Sequence, residues 1–275
     1  MPSMPHHRAR KRFGQNFLQD TGVIGGIVDA VQPRAGERLV EIGPGQGALT
    51  QPLLDAVGEL DVIELDRDLI PGLRVQFFNY PGLVIHEGDA LKIDFAELKG
   101  DGEPLRVVGN LPYNIATPLI IHLLGEGSAV ADMHFMLQKE VVERLSAEPG
   151  GKDWGRLSVM AQYYCRVEQL FNVPPEAFVP RPAVDSAIVR LAPHAKLPCP
   201  ADDPALLFDL VKQAFGQRRK TLRNNLKGRV SAETLETLDI DPSRRPQTVR
   251  VGEFVRLANH LAGAPGETAG TDGQE

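Results

Sequence analysis

Arg38-Leu39-Val40-Glu41-Ile42-Gly43-Pro44-Gly45-Gln46-Gly47 is the stretch that decides the fold. Its first half is an apolar run that reads as a strand, and the run ends directly in glycines. Glycine at such a strand-to-helix turn adopts backbone angles closed to other residues and lets a ligand approach the main chain. A dinucleotide turn has the spacing Gly-x-Gly-x-x-Gly. Here the third glycine comes one residue early, and Ala48 holds the dinucleotide position. That departure, with the acid Glu41 just before the turn, favours S-adenosylmethionine. Its sulfonium and ammonium groups are cationic, and it has no pyrophosphate to cradle.

Working outward, Leu60-Asp61-Val62-Ile63-Glu64 reads as a second strand and Leu83-Val84-Ile85 as a third. Leu105-Arg106-Val107-Val108-Gly109 reads as a fourth and Met133-His134-Phe135-Met136-Leu137 as a fifth. Helical stretches separate them, which implies a parallel, doubly wound, Rossmann-like α/β sheet. Tyr163-Tyr164-Cys165-Arg166-Val167 and Ala187-Ile188-Val189-Arg190-Leu191 read as two more strands near the sheet edge. Pro193, Pro198, Pro200 and Pro204 then mark a linker. After it, Asp203 is placed to cap a helix and Pro204 to occupy its first turn. Leu206, Leu207, Leu210, Val211, Ala214 and Phe215 form one apolar face at helical spacing. Further helical stretches are expected near 218–227, 231–238 and 252–262. The expected organisation is a basic segment over 1–21, an α/β domain over 22–191, a linker over 192–205, a small all-α domain over 206–262 and a disordered tail over 263–275.

A hydrophobic fraction of 42% and a charged fraction of 24% place the chain among soluble globular proteins. No apolar run approaches the roughly 18–20 residues of a membrane span, and the polar N-terminal stretch lacks the apolar region of a secretory signal. With only Cys165 and Cys199, neither a disulfide framework nor a multi-cysteine zinc site is expected, no metal is implied, and the cytoplasm is the default compartment. The net charge of −6 conceals two cationic blocks. Arg8, Arg10, Lys11 and Arg12 form the first; Lys212, Arg218, Arg219, Lys220, Arg223, Lys227 and Arg229 form the second, with no acid between Val211 and Ser231. Either block alone reads equally well as a solvated surface. Two of them on an acidic chain point to two places that face phosphate.

Glu64 ends the second strand, where a carboxylate can accept from both ribose hydroxyls of either kind of cofactor. Asp89 follows the third strand and can accept from an adenine amine, although a helix cap is its plainer reading. Asn110-Leu111-Pro112-Tyr113 follows the fourth strand on the same sheet edge. Adenine N6 is a poor nucleophile because its lone pair is delocalised into the ring. The Asn110 side-chain oxygen and a nearby backbone carbonyl can hold both N6 hydrogens, and Tyr113 can stack on the purine. Asn110, Leu111 and Tyr113 form the expected catalytic loop. Phe178, in Ala177-Phe178-Val179-Pro180-Arg181-Pro182, is the candidate for the opposite wall of a flipped base. His122 and His134 read as satisfied core histidines, Cys199 as structural, and Gly150-Gly151-Lys152-Asp153-Trp154-Gly155 as an exposed loop.

Several of these stretches together resemble the ribosomal RNA adenine dimethyltransferase family, and within it the bacterial small-subunit (16S) branch. They are Arg10-Lys11-Arg12-Phe13-Gly14-Gln15-Asn16-Phe17-Leu18, the Gly43 turn, the Asn110 tetrad, Met136-Leu137-Gln138-Lys139-Glu140-Val141, Gly155-Arg156-Leu157-Ser158-Val159, the Phe178 loop with Val184-Asp185-Ser186, and Phe215-Gly216-Gln217-Arg218-Arg219-Lys220. The resemblance implies two methylations on N6 of each of two adjacent adenines in a hairpin near the 3′ end of 16S rRNA. It implies that Asn16 and Leu18 close over S-adenosylmethionine beside Gly43, Glu64, Asp89 and Asn110. It also implies that Arg10, Lys11, Arg12, Arg218, Arg219, Lys220, Arg223 and Lys227 face RNA in the assembling small subunit, with the protein a monomer. The alternatives are a non-catalytic RNA-binding assembly factor, a large-subunit rRNA adenine methyltransferase and an NAD-dependent oxidoreductase.

Overall fold

The computed structural model describes residues 15–112 and 115–263, so Arg10, Lys11, Arg12 and Tyr113 lie outside the described residues. Nine strands run β1 (Phe17–Leu18), β2 (Leu39–Ile42), β3 (Leu60–Glu64), β4 (Leu83–Glu87), β5 (Leu105–Asn110), β6 (Val130–Gln138), β7 (Cys165–Val173), β8 (Phe178–Val179) and β9 (Ser186–Pro193) among the described residues. Interleaved with them are α1 (Thr21–Val31), α2 (Thr50–Val57), α3 (Ile70–Gln76), α4 (Phe95–Lys99), α5 (Ala116–Gly125), α6 (Lys139–Leu145) and α7 (Arg156–Tyr164). After β9 come α8 (Pro204–Ala214), α9 (Leu222–Asn225), α10 (Ala232–Thr237) and α11 (Val251–Gly263).

The expected doubly wound sheet is present, in the order β4-β3-β2-β5-β6-β9-β7. From β4 to β6 all neighbours are parallel, while β9 pairs antiparallel with both β6 and β7. Helices cover a parallel sheet on both faces, so β2 is buried throughout and β6 nearly so. At the amino end of the strands, Arg106 grips both carboxylate oxygens of Asp132 at 2.9 and 3.1 Å, reaches Glu37 at 2.7 Å and donates to the Val31 carbonyl at 2.6 Å. This ties β5, β6 and the end of α1 together, far along the strands from their carboxyl ends.

Two readings change, one at the sheet edge and one inside it. The strand expected at Tyr163–Val167 begins only at Cys165, because Tyr163 and Tyr164 finish α7, and it runs on to Val173. As an edge strand it keeps Arg166, Glu168 and Asn172 in its ladder, and those polar residues hide it from a hydrophobic pattern. His134 is not a satisfied core histidine. It is buried in β6 with no hydrogen-bond partner for either ring nitrogen among the described residues.

Backbone contacts group the chain into two units, one of residues up to Ser146 with Tyr164–His194, the other of Ala147–Tyr163 with residues from Ala195 on. The second is helical. Asp203 caps α8 by accepting from the Ala205 and Leu206 amides, and Leu207, Leu210, Val211 and Ala214 are its buried face. Of the helix expected near 218–227 only α9 forms, the residues before it making a turn. Trp154, expected in an exposed loop, is buried in this unit and its Nε1 donates to the Val249 carbonyl at 3.0 Å. No described helix is long and apolar enough to cross a membrane.

Burial holds His134 neutral and pushes its pKa from 6.5 down to about 4; Asp132, 3.8 Å away, pulls the other way, and Arg106 and Arg190 reinforce burial. A depressed folded-state pKa gives stability that is present above 6.5 and lost as pH falls toward 4, here about 3 kcal/mol. The His134→Leu variant has no such proton to take up. Urea unfolding from pH 7 to pH 4 should therefore show the wild type losing about 3 kcal/mol more than the variant; parallel stability curves would refute this account.

Candidate active site

The carboxyl ends of β2, β3, β4 and β5 meet at one cavity, at the point where strand order reverses between β2 and β5. In open α/β sheets this crevice is where ligands bind. The cavity encloses about 1250 Å3 counting its open mouth. Asn16, Leu18, Gly43, Glu64, Asp89, Asn110, Leu111 and Phe178 all line it, so the structure brings together every described residue singled out for cofactor or catalysis.

The glycine turn behaves as its spacing implies. Gly43 has φ +68°, and a β-carbon there would stand 3.9 Å from the Asn110 carbonyl, in the gap between the ends of β2 and β5. Gly47 has φ +80° and a β-carbon on it would meet the Phe77 ring at 2.8 Å. Both therefore need glycine. The turn is bolted down by Glu64, which accepts from the Gly45 amide at 3.2 Å and from the Asp66 amide at 2.7 Å. Glu64 lines the cavity as well. Asp89 does act as a cap, accepting from the Leu91 amide at 3.0 Å through Oδ1, and it lines the cavity as well.

Glu41 is fully buried and accepts from the Thr50 hydroxyl at 2.6 Å. Burial lifts its pKa to about 7; the Thr50 bond offsets part of that and the Glu64 charge adds to it. Burial also raises Glu64, against the Asp66 and Gly45 amides that favour its charge. No lysine or arginine is among the described residues lining the cavity. Two desolvated carboxylates without a cation form a site that favours a cationic ligand and disfavours a pyrophosphate.

Asn110 ends β5 itself, and its Nδ2 donates to the Asn16 carbonyl at 3.1 Å. A carbonyl only accepts, so the amide nitrogen must face Asn16. Oδ1 is left without a donor among the described residues. The Leu111 amide is held by the Met136 carbonyl at 3.1 Å, which fixes the start of the loop. Phe178 is buried in β8, and β8 pairs antiparallel with β1 so that Leu18 faces Phe178 and Phe17 faces Val179. The N-terminal segment and the Phe178 wall are one two-stranded sheet. Asp66, which sequence reading passed over, is buried and accepts from Gln15 Nε2 at 2.8 Å, clasping that segment to the end of β3. Its only sequence signal was a position two residues after Glu64.

Arg218, Arg219, Lys220, Arg223 and Lys227 belong to the other unit, where all are exposed. None is within ion-pair reach of a carboxylate among the described residues, whereas Arg229 of the same block pairs with Asp209 at 2.6 Å.

A family model described as ribosomal RNA adenine dimethylase matches residues 6–263. The ribosomal RNA small subunit methyltransferase A of Chromohalobacter salexigens is 70% identical over 262 residues, covering 94% of this chain and 93% of its own. The protein of the same name from Pseudomonas aeruginosa is 62% identical over 266 residues, covering 97% and 99%. Among solved structures, a dimethyladenosine transferase from Plasmodium falciparum has a TM-score of 0.76 at 26% identity, over 88% of this chain and 95% of its own. The 23S rRNA methyltransferase ErmE has a TM-score of 0.71 at 26% identity, over 90% and 100%.

The Glu41 pKa fixes a pH dependence. Because the folded value is raised, its stabilising contribution is full below 4.5 and is lost as pH rises through about 7. Glu41→Gln never ionises, so its stability relative to wild type should rise by about 3 kcal/mol between pH 4 and pH 9 without ligand. Denaturant midpoints that keep a constant separation over that range would show that Glu41 is not the titrating group.

Proposed function

The chain belongs to the ribosomal RNA adenine dimethylase family, enzymes that take methyl groups from S-adenosylmethionine, and we propose that it methylates N6 twice on each of two adjacent adenines in a hairpin near the 3′ end of 16S rRNA. The observation that carries this reading is Asn110 Oδ1, left open by the Asn16 contact at the rim of an acid-lined cavity.

The cavity fits the methyl donor by charge, since a sulfonium answers the unpaired carboxylates Glu41 and Glu64. S-adenosylmethionine, when bound, supplies a methyl group already activated by positive sulfur. Glu64 would take the ribose hydroxyls, Asp89 the adenine amine, and Gly43 would let the ligand pass close to the main chain, with Asn16 and Leu18 over it. The protein's own task is then to present N6. Asn110 Oδ1 and a backbone carbonyl of the loop at Leu111 hold the two N6 hydrogens, drawing the nitrogen toward a tetrahedral shape with its lone pair aimed at the methyl. Phe178 walls one face of the base, and Tyr113 is assigned the other. Positioning of this kind supplies several kcal/mol without a strong general base. The methylated N6 sheds one proton to solvent, so a single N6 hydrogen then remains and Asn110 and the carbonyl no longer both have a partner. In the helical unit, Arg218, Arg219, Lys220, Arg223 and Lys227 face rRNA phosphate, as do Arg10, Lys11 and Arg12 at the N-terminus. The working form is a cytoplasmic monomer acting on the assembling small subunit.

Incubation with labelled S-adenosylmethionine and unmethylated small subunits, followed by mass mapping of the rRNA, should place label on two neighbouring adenines; no label on adenine would sink the proposal. Asn110→Ala removes the acceptor and should lower turnover about 100-fold or more, on the scale of losing one aimed polar group, with rRNA affinity retained. Turnover within a few-fold of wild type would refute the role of Asn110.

A further inference from the structure

The loop Gly150–Gly155 is built into the same unit as the second cationic block, and several hydrogen bonds hold it there. The Gly150 amide donates to the Gln247 carbonyl at 2.7 Å and Trp154 Nε1 to the Val249 carbonyl at 3.0 Å. Within the loop, the Gly151 amide reaches the Glu148 carbonyl at 3.0 Å and the Gly155 amide reaches Ser158 Oγ at 3.0 Å. The Arg218 guanidinium donates to the carbonyl of Lys152. That bond sets Lys152 directly beside Arg218-Arg219-Lys220. The Arg218 turn is braced as well: Asn225 Nδ2 donates to the carbonyls of Gln217 and Lys220 at 3.1 and 3.3 Å.

Two fixed backbone segments therefore meet, and the side chain between them that points outward is a lysine. The Lys152 side chain is 89% exposed. Its one carboxylate partner among the described residues is Asp153, 3.8 Å away. An exposed pair at that distance is weak and screened by salt, too little to occupy Lys152 against a phosphate. Trp154 explains the rigidity. Burying an indole with its N–H satisfied anchors the loop from beneath, so Lys152 does not carry the ordering cost of a floppy loop on binding.

We infer that Lys152 is a phosphate contact of the RNA-docking face, presented by the Trp154-anchored loop, and that Arg218 is a positioning residue for that loop as well as a charge. The inference rests on the reading that this unit docks on rRNA. It extends the docking surface to a segment more than sixty residues away in sequence from the basic block.

The test is equilibrium binding of the full chain to unmethylated small subunits across a salt series. Each phosphate contact contributes about 0.9 to the slope of log affinity against log salt. Lys152→Gln should flatten the slope by about one and weaken binding most at low salt, as Lys220→Gln should, and Lys152→Arg should restore both. In the double variant Lys152→Gln with Arg218→Gln, the combined loss should fall short of the sum of the single losses, because removing the tether already misplaces Lys152. If Lys220→Gln flattens the slope and Lys152→Gln does not, the inference is overturned and the docking reading stands. If neither changes it, the docking reading itself fails. Strict additivity in the double variant would remove the positioning role of Arg218.

Discussion

The pairing of β2 with β3 on one side and β5 on the other is the constraint from which the site follows. The chain builds outward from β2 to β4, then returns to lay β5 against the opposite flank of β2. The helices that follow β2 and β5 must leave to opposite faces, so a crevice opens at the carboxyl ends of those strands. Register then does the rest. Ile42 pairs with both Ile63 and Gly109, which brings Gly43, Glu64 and Asn110, the next residues along, to the same level. A slip of one residue in any of these ladders would turn every side chain to the other face and dismantle the cavity.

Electrostatics sets two buried regions of this sheet against each other in pH. His134 lies within β6 and must stay neutral, so acid weakens the fold there. Glu41 lies within β2, one residue before its end, and is easiest to bury protonated, so base weakens the fold there. The amino end is closed by paired charges, with Asp132 satisfied by Arg106 and reached by Arg190 at 3.3 Å. The carboxyl end is left acid-rich and unpaired. A fold that neutralises its charges at one end and leaves them open at the other has its ligand affinity localised there, and the sign of that charge selects a cation.

The sheet and the cofactor corner were legible because strands bounded by glycine and acid leave a strong local pattern. The Arg38–Gly47 run shows apolar periodicity, φ-demanding glycines and a carboxylate at once, and each signal depends only on neighbours in sequence. Asp203 and Pro204 were legible for the same reason: a cap and a first-turn proline are local chemistry. What stayed hidden depends on distant partners. β7 is polar because it is an edge, and being an edge is a property of the sheet rather than of the segment. The burial of Trp154 depends on a carbonyl at Val249, and its glycine-rich surroundings gave the opposite impression. Asp66 gains its meaning from Gln15. Asn16 and Leu18 carry no spacing signal and came only from family resemblance.

That last pair also explains why Asn110 cannot be understood from its own loop. An isolated Asn110 amide could rotate and present nitrogen or oxygen to the cavity with little energetic difference. The Asn16 carbonyl breaks the symmetry, because it accepts only and so draws Nδ2 to itself. Asn16 immediately precedes β1, β1 is held by β8, and β8 carries Phe178. One short antiparallel pair therefore sets three things together: the segment that lines the cavity beside Gly43, the orientation of the acceptor at Asn110 and the aromatic wall. Any motion that lifts β1 from β8 would loosen all three at once, so the cavity-lining segment and the orientation of the Asn110 amide are coupled by the backbone itself.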